Sequence, residues 1–296
     1  MSPKRVIGVD LGGTKILAGA LDGDGRVLSR NEVPTPTGSE EELLEGIAGA
    51  IEPLARDGLD ALGLGVPSVI DSKGVALGSI NIPLANVALA EIFERRFGVP
   101  TAVENDANAA ALAEWKLGAG RGCSSLLVLT LGTGVGGGIV HDGALYRGWA
   151  ELGHVVVVAD GPPCQGNCTG RGHLEAVASG NAADRAAVRL WGEGATAEQL
   201  VERAEEGDAE AVEALREMGH LLGAAIGSFA NVFDPELFVV GGGFGLAASR
   251  FLFPAALETA RREALGPARA GLRIVSAELG GDAGLVGTGL LALEAS

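Results

Sequence analysis

Aromatic and basic residues are both scarce in this chain. Of its 296 residues only 4% are aromatic, and 22 Lys and Arg stand against 38 Asp and Glu. The resulting formal net charge of -16 argues against a broad surface for nucleic acid or for an anionic membrane. We therefore expect neither as a partner. Phosphate can still bind to such a chain, because backbone N–H groups and Mg²⁺ neutralise it locally.

Long apolar runs are also missing, as is a positively charged start followed by an apolar stretch and a cleavage site. The sequence predicts neither a membrane span nor a secretory signal, so we expect a cytoplasmic protein. Its three cysteines are an odd number, which argues against a disulfide framework. Hydrophobic residues make up 47% of the chain, enough for a sizeable core and for two domains.

Glycine is abundant, with 48 residues, and the first glycine loop follows a predicted strand. Gly12 and Gly13 allow a sharp turn and a close approach of a ligand to the backbone. Thr14 adds a hydroxyl and Lys15 a cation, while Asp10 can hold Mg²⁺ through water. These are the groups of a phosphate-binding loop, although an ordinary hairpin turn explains Gly-Gly equally well.

A second loop repeats this arrangement with Gly132, Thr133 and Gly134. Neither loop matches G-x-x-x-x-G-K-[ST], and neither opens a clear helix, so neither a Walker loop nor a Rossmann site is predicted. The pair is more specific than either loop alone. Residues 241–243, three glycines after a hydrophobic strand, permit a flat ligand such as adenosine, but a strand-to-helix turn is the simpler interpretation.

The strand–glycine loop–strand unit occurs twice, at residues 5–21 and 125–141. This repetition predicts two halves of similar topology facing one cleft, with a boundary at the glycines of residues 118–122. Further predicted strands cover residues 26–33, 61–66, 101–104, 155–158, 237–240 and 272–277. Predicted helices cover residues 39–58, with Ser39 as N-cap, 91–97, 106–117, 197–206, 209–232, 250–265 and 283–295.

Asp106 lies between Asn105 and Asn108 at the end of a predicted strand. A carboxylate among amides suits a general base that must also hold a polar substrate. Together with two phosphate-type loops, it indicates phosphoryl transfer to a hydroxyl.

Two cysteines and two histidines are the types of ligand that zinc prefers. Four protein ligands leave no open coordination position for a substrate, which indicates a structural rather than a catalytic metal. Glu151 and Glu175 flank it and can accept hydrogen bonds from sugar hydroxyls, although either can equally be a solvated surface glutamate. The predicted ligands are His154, Cys164, Cys168 and His173.

Taken together, these motifs resemble the ROK family of sugar kinases and repressors, within the actin-like ATPase superfamily, over essentially the whole chain. The chain departs from the family's usual metal knuckle in two ways, since its first gap is longer and His173 stands in place of the last Cys. A family Gly is also replaced by Ser68, which bears on sugar preference. The matching motifs are residues 9–15, 65–67, 105–109, 131–136, 151–154, 174–175 and 241–243.

The resemblance implies an α/β fold of two actin-like (ribonuclease H-like) domains with the active site in the cleft between them. We expect residues 1–119 plus 283–296 to form the smaller domain, and residues 120–282 the larger. The resemblance implies Asp106 as the catalytic base and a dimer or tetramer as the assembly. It implies that the sugar contacts Asn105, Asp106, Glu151, His154 and Glu175. It implies ATP contacts at Asp10, Gly12, Gly13, Thr14, Lys15, Gly132, Thr133, Gly134, Gly241, Gly242 and Gly243.

The activity expected from these features is phosphorylation of glucose at its 6-hydroxyl by ATP, with Mg²⁺ and a structural Zn²⁺. Fructose, mannose, N-acetylmannosamine and N-acetylglucosamine are competing substrates, because a pocket of hydroxyl-binding groups does not identify one epimer. Polyphosphate is an alternative donor. A sugar-sensing repressor would need a DNA-binding domain before the strand that starts at Arg5, and a non-catalytic sugar-binding protein would not need Asp106.

Overall fold

The computed structural model describes residues 4–79 and 82–296, which form two compact units. The first unit runs to Ala113 and adds Arg147–Trp149 and Asp282–Ser296. The second consists of Glu114–Tyr146 and Ala150–Gly281. The domain limits drawn from the sequence, at residues 119 and 283, remain a prediction. Among the described residues, no helix has both the length and the apolarity needed to cross a bilayer.

The first unit is built on a five-stranded sheet with the strand order β3-β2-β1-β4-β8. Antiparallel pairing joins β1, β2 and β3, and parallel pairing joins β1, β4 and β8. A small sheet of β5, β6 and β7 stands beside it. The strands are β1 (Val6–Leu11), β2 (Lys15–Leu21), β3 (Val27–Pro34), β4 (Ala61–Val66), β5 (Val69–Ile70), β6 (Val75–Gly78), β7 (Val87–Ala88) and β8 (Thr101–Asn105).

The helices of this unit cover its sheet. They are α1 (Glu40–Ala55), α2 (Leu89–Phe97), α3 (Asp106–Lys116), whose last residues belong to the second unit, and α11 (Ala283–Ala295). Ser39 caps α1 as predicted, accepting a hydrogen bond from the N–H of Glu42. Helix α11 lies close to β4, because a Cβ on Gly63 would collide with the Thr288 carbonyl. The start of α11 lies against the end of β1, because a Cβ on Gly284 would collide with the Asp10 carboxylate.

The second unit repeats the same sheet, with the order β11-β10-β9-β12-β13. Strands β9, β10 and β11 pair antiparallel, and β9, β12 and β13 pair parallel. The predicted repetition of topology is therefore confirmed. The strands are β9 (Leu126–Leu131), β10 (Val135–His141), β11 (Ala144–Leu145), β12 (Leu237–Gly241) and β13 (Ile274–Ser276).

Helices form the rest of the second unit's core. The longest, α7, has glycines at residues 219, 223 and 227, and a Cβ at any of them would crowd the backbone of α9. This four-residue spacing lets the two helices pack closely along one ridge. The helices are α4 (Leu174–Ala178), α5 (Gly180–Trp191), α6 (Ala197–Glu205), α7 (Ala209–Phe233), α8 (Gly243–Ala247), α9 (Ser249–Glu263) and α10 (Gly266–Gly271), with 3₁₀ turns at Leu152–His154 and Gly280–Asp282.

The second unit differs from the sequence-based expectations in several elements, of which two bear on the site. The strand predicted at residues 155–158 is wrong, since only an isolated bridge joins Val156 to His173. The N–H groups of Val157 and Val158 both bond to the Gly172 carbonyl, so the valines bend around that residue instead of extending. Helix α5 was not predicted. Its start, Ser179-Gly180-Asn181, resembles a loop, but the Ser179 hydroxyl caps it by accepting from the Ala182 N–H.

Candidate active site

The first glycine loop is the tight hairpin between β1 and β2. The Gly12 N–H donates to the Lys15 carbonyl at 2.9 Å. Thr35, just after β3, donates its hydroxyl to the Gly12 carbonyl at 2.7 Å and its N–H to the Thr14 carbonyl at 3.0 Å. Gly13 and Thr14 are exposed at the tip. Nothing in the sequence indicated that Thr35 contacts this loop, because Thr35 lies some twenty residues further along the chain.

Asp10 is partly buried at the end of β1, next to Gly284 in the first turn of α11. Burial, and secondarily the charge of Asp106, raises the pKa of Asp10 to about 7, against the lowering effect of Lys15. The Lys15 ammonium donates to a Glu32 carboxylate oxygen at 2.8 Å, and this hydrogen bond raises the pKa of Lys15. The structure therefore brings the carboxylates of Asp10 and Glu32 and the ammonium of Lys15 together at the first loop.

Asp106 is the first residue of α3, and Asn105 acts as the cap of that helix. The Asn105 Oδ1 accepts from the N–H groups of Ala107 and Asn108 at 2.9 and 3.1 Å. Its amide nitrogen donates to the Ser68 carbonyl at 3.4 Å. Asp106 Oδ1 accepts from the Ala107 N–H at 2.9 Å, which orients the carboxylate. The carboxylate also lies at the positive end of the helix dipole.

Glu104 supports this helix start from inside the protein, and sequence reasoning gave it no role. Its side chain is only 8% exposed. Oε1 accepts from the Asn105 N–H at 3.0 Å and from the Asn108 amide at 3.1 Å, and Oε2 lies 3.8 Å from an Arg147 nitrogen. Because Glu104 directly precedes Asn105, its place in the motif could have indicated a supporting role. No motif in the sequence indicates a role for Arg147.

Ser68, the departure from the family motif, is buried. Its hydroxyl donates to the Gly78 carbonyl at 2.7 Å and so ties β6 to the segment after β4. The carbonyl of Ser68 is the acceptor for Asn105 described above. Ser68 therefore touches the Asn105–Asp106 region through its backbone, while its hydroxyl is used within the small sheet.

In the second unit, the second glycine loop is the hairpin between β9 and β10. Its carbonyls accept from the start of α5, Gly132 from the Gly180 N–H at 2.7 Å and Thr133 from the Asn181 N–H at 3.3 Å. Just after the loop, the Val135 N–H donates to the Glu175 carboxylate at 2.9 Å. Glu175, predicted at the sugar side, thus also supports the loop.

The four predicted metal ligands come together in the second unit. One donor atom from each of His154, Cys164, Cys168 and His173 lies within 4.8 Å of the others. The Cys168 sulfur and His173 Nδ1 are 3.6 Å apart, which matches the edge of about 3.6 Å expected between sulfur and nitrogen ligands of tetrahedral zinc.

The buried Nδ1 of His154 tests independently whether these four residues suit a zinc ion. A Glu151 oxygen lies 3.5 Å from it, and among the described residues this nitrogen has no well-formed hydrogen bond. An unpaired buried imidazole nitrogen is costly, and a bound cation removes that cost. The residues present therefore fit a closed His₂Cys₂ zinc site. Glu151 itself is exposed beside it.

The three glycines after β12 form a strand-to-helix turn. Gly241 ends β12, Gly242 has φ of 81°, and Gly243 starts α8. A Cβ on Gly242 would collide with the backbone of Leu131, so both its positive φ and its close packing require glycine here. Contact of the turn with adenosine remains a prediction.

Comparison with known proteins adds to this geometry. A model described as the ROK family matches residues 6–295. A glucokinase of Streptomyces coelicolor is 38% identical over 312 aligned residues, covering 97% of both proteins. An N-acetylmannosamine kinase of Escherichia fergusonii is 32% identical, also covering 97% of both.

A solved structure extends the similarity to three dimensions. The crystal structure of a ROK family glucokinase from Streptomyces griseus, in complex with glucose and AMPPNP, superposes with a TM-score of 0.86 at 36% identity. The match covers 98% of this chain and 99% of that one. The chain therefore belongs to the ROK family, and its two α/β units have the actin-like fold.

Proposed function

We propose that this protein is an ATP-dependent hexose kinase that phosphorylates glucose at its 6-hydroxyl. The observation that carries the proposal is the arrangement in the first unit, where an oriented carboxylate at a helix start, Asp106, lies near a glycine hairpin with Asp10 and Lys15. A base beside a phosphate-binding loop is what transfer of a phosphoryl group to a hydroxyl requires. The similarity to glucokinases over nearly the full length supports the same activity.

In this mechanism, Asp106 accepts the proton of the sugar hydroxyl as that oxygen attacks the γ-phosphorus of ATP. The bond from the γ-phosphorus to the bridging oxygen breaks, and its electron pair leaves with ADP. Lys15 and the N–H groups of the loop around Gly13 stabilise the charge that spreads over the transferring group. In the second unit, the N–H groups of the loop at residues 132–134 would bind phosphate in the same way, and the turn at residues 241–243 would contact adenosine. Mg²⁺, when bound, neutralises phosphate charge near Asp10.

The sugar is held by five polar side chains in this proposal. The hydrogen bonds described above fix Asn105, Asp106 and Glu175 before any ligand binds, so their orientation costs little on binding. His154 and Glu151 complete the set next to the His₂Cys₂ site, which would hold a structural zinc with no open position for substrate. Because the donor is ATP, the proposed place of action is the cytoplasm, and the predicted dimer or tetramer remains part of the proposal.

A second candidate within the same class is a kinase for N-acetylmannosamine, which the similarity to the Escherichia fergusonii enzyme favours. Initial rates with ATP against glucose, mannose, fructose, N-acetylglucosamine and N-acetylmannosamine separate the two. We expect kcat/KM to be highest for glucose. A higher value for an N-acetylated sugar would replace glucose in the proposal, and an absence of ATP turnover with every sugar would refute the kinase assignment.

A further inference from the structure

Thr35 lies in a segment whose backbone is fixed by two prolines, Pro34 and Pro36. Proline restricts its own φ, and the residue before a proline is restricted to extended conformations. The ring of Pro36 also packs on helix α1, because a Cβ on Gly46 would lie 2.8 Å from its Cδ and Cγ atoms. Thr35 is therefore held in place independently of the glycine loop that it contacts.

From this position Thr35 bonds to the loop through two groups. Its hydroxyl donates to the Gly12 carbonyl at 2.7 Å, and its N–H donates to the Thr14 carbonyl at 3.0 Å. The first bond is the more informative, since it fixes a peptide between Gly12 and Gly13, the two residues with the greatest freedom to rotate.

Fixing the Gly12 carbonyl also fixes the Gly13 N–H. A trans peptide is planar, so its C=O and N–H point in opposite directions. With the carbonyl turned toward Thr35, the N–H is turned away from it. Gly13 is exposed, and within residues 4–79 and 82–296 its N–H has no hydrogen-bond acceptor. If the peptide flipped, a carbonyl oxygen would take the place of this donor and repel an anion.

We propose that Thr35 is a positioning residue for nucleotide phosphate, because its hydroxyl locks the Gly12–Gly13 peptide with the N–H available to a phosphate oxygen. The inference rests on the proposed function, in which this loop binds the phosphates of ATP. It adds a residue that does not itself touch the ligand. The contribution of Thr35 appears in nucleotide affinity and not in sugar affinity.

The test compares Thr35→Val, which keeps the shape and removes the hydroxyl, with Thr35→Ser, which keeps the hydroxyl. Binding of a non-hydrolysable ATP analogue with Mg²⁺ is measured by calorimetry on the full-length protein, and KM is measured for ATP and for the sugar. Loss of one hydrogen bond that orients a donor predicts analogue binding about five- to tenfold weaker for Thr35→Val. KM for ATP should rise equally, while KM for the sugar stays unchanged and Thr35→Ser recovers most of the loss.

Ser228→Ala is the matched control, because it removes a hydroxyl-to-carbonyl bond of 2.9 Å from the exposed side of α7. It should leave analogue binding unchanged. Equal analogue binding by Thr35→Val and the unsubstituted protein would overturn the proposal, as would a Thr35→Ser variant as weak as Thr35→Val. If the unsubstituted protein binds the analogue but turns over no sugar, the proposed function fails while the comparison of the variants still decides the role of Thr35.

Discussion

Asp10 should make the ligand-free protein less stable as the pH rises toward neutrality. In the folded protein its pKa is raised from 3.8 to about 7, mainly by burial and then by the charge of Asp106. Between these two pH values the folded chain binds more protons at this site than the unfolded chain does. Stability from this group therefore falls as the pH increases from about 4 to about 7, and the cost is fully present above that range.

The size of this effect follows from the shift in pKa. A rise from 3.8 to about 7 corresponds to about 4 kcal/mol at most. Because the side chain is only partly buried, solvent screening reduces this, and we expect about 2 kcal/mol. Asp10→Asn removes the charge at nearly constant shape. The variant should be about 2 kcal/mol more stable than the unsubstituted protein at pH 8, and the two should be equally stable near pH 4.

Urea denaturation at pH 4, 5, 6, 7 and 8, without nucleotide or Mg²⁺, measures this difference. Repeating the comparison in an Asp106→Asn background is the control, since loss of the second charge should shrink the effect of Asp10→Asn. A difference that does not vary with pH would refute the assigned burial of Asp10, and so would a variant less stable than the parent at pH 8.

Two further predictions concern the second unit. Glu114 is fully buried and accepts from the N–H groups of Ala119, Glu278 and Leu279 at 2.9, 3.1 and 2.8 Å, so Glu114→Ala should lower the free energy of unfolding by about 3–5 kcal/mol. Glu114→Gln should cost clearly less, and equal losses in urea denaturation would contradict the role of these bonds. If the His₂Cys₂ site holds zinc, elemental mass spectrometry should find one zinc per unsubstituted chain and none in Cys168→Ser, which should also melt at a lower temperature, whereas Cys123→Ser should keep the zinc. Full zinc in Cys168→Ser would exclude the proposed site.

Local signals explain which parts of the fold were predictable from the sequence. The two glycine hairpins, the Ser39 cap and the bounds of the last helix depend on residues close together in the chain. The valines of residues 155–158 illustrate the limit of such signals. They favour a strand, yet beyond the single bridge from Val156 to His173 the chain bends, because the N–H groups of Val157 and Val158 share the Gly172 carbonyl.

Long-range contacts explain what the sequence could not provide about the site. Thr35 and Arg147 act on residues more than twenty positions away, and neither has a motif of its own. Glu104 belongs to the motif around Asp106, but it supports the start of α3 as a buried carboxylate, and its burial cannot be read from the sequence. The metal ligands could be predicted because their chemistry restricts them to a few residue types at short spacing.

If Asp106 is the base of a sugar kinase, its carboxylate is needed for turnover. Comparing Asp106→Asn with the unsubstituted protein for ATP-dependent phosphorylation of glucose tests this role. We expect kcat to fall by about 10²–10⁴-fold, as for loss of a general base, with glucose and nucleotide still bound. Asp208→Asn, which changes a comparable helix-start aspartate in the second unit, should keep full activity. Near-normal turnover by Asp106→Asn would show that Asp106 is not the base.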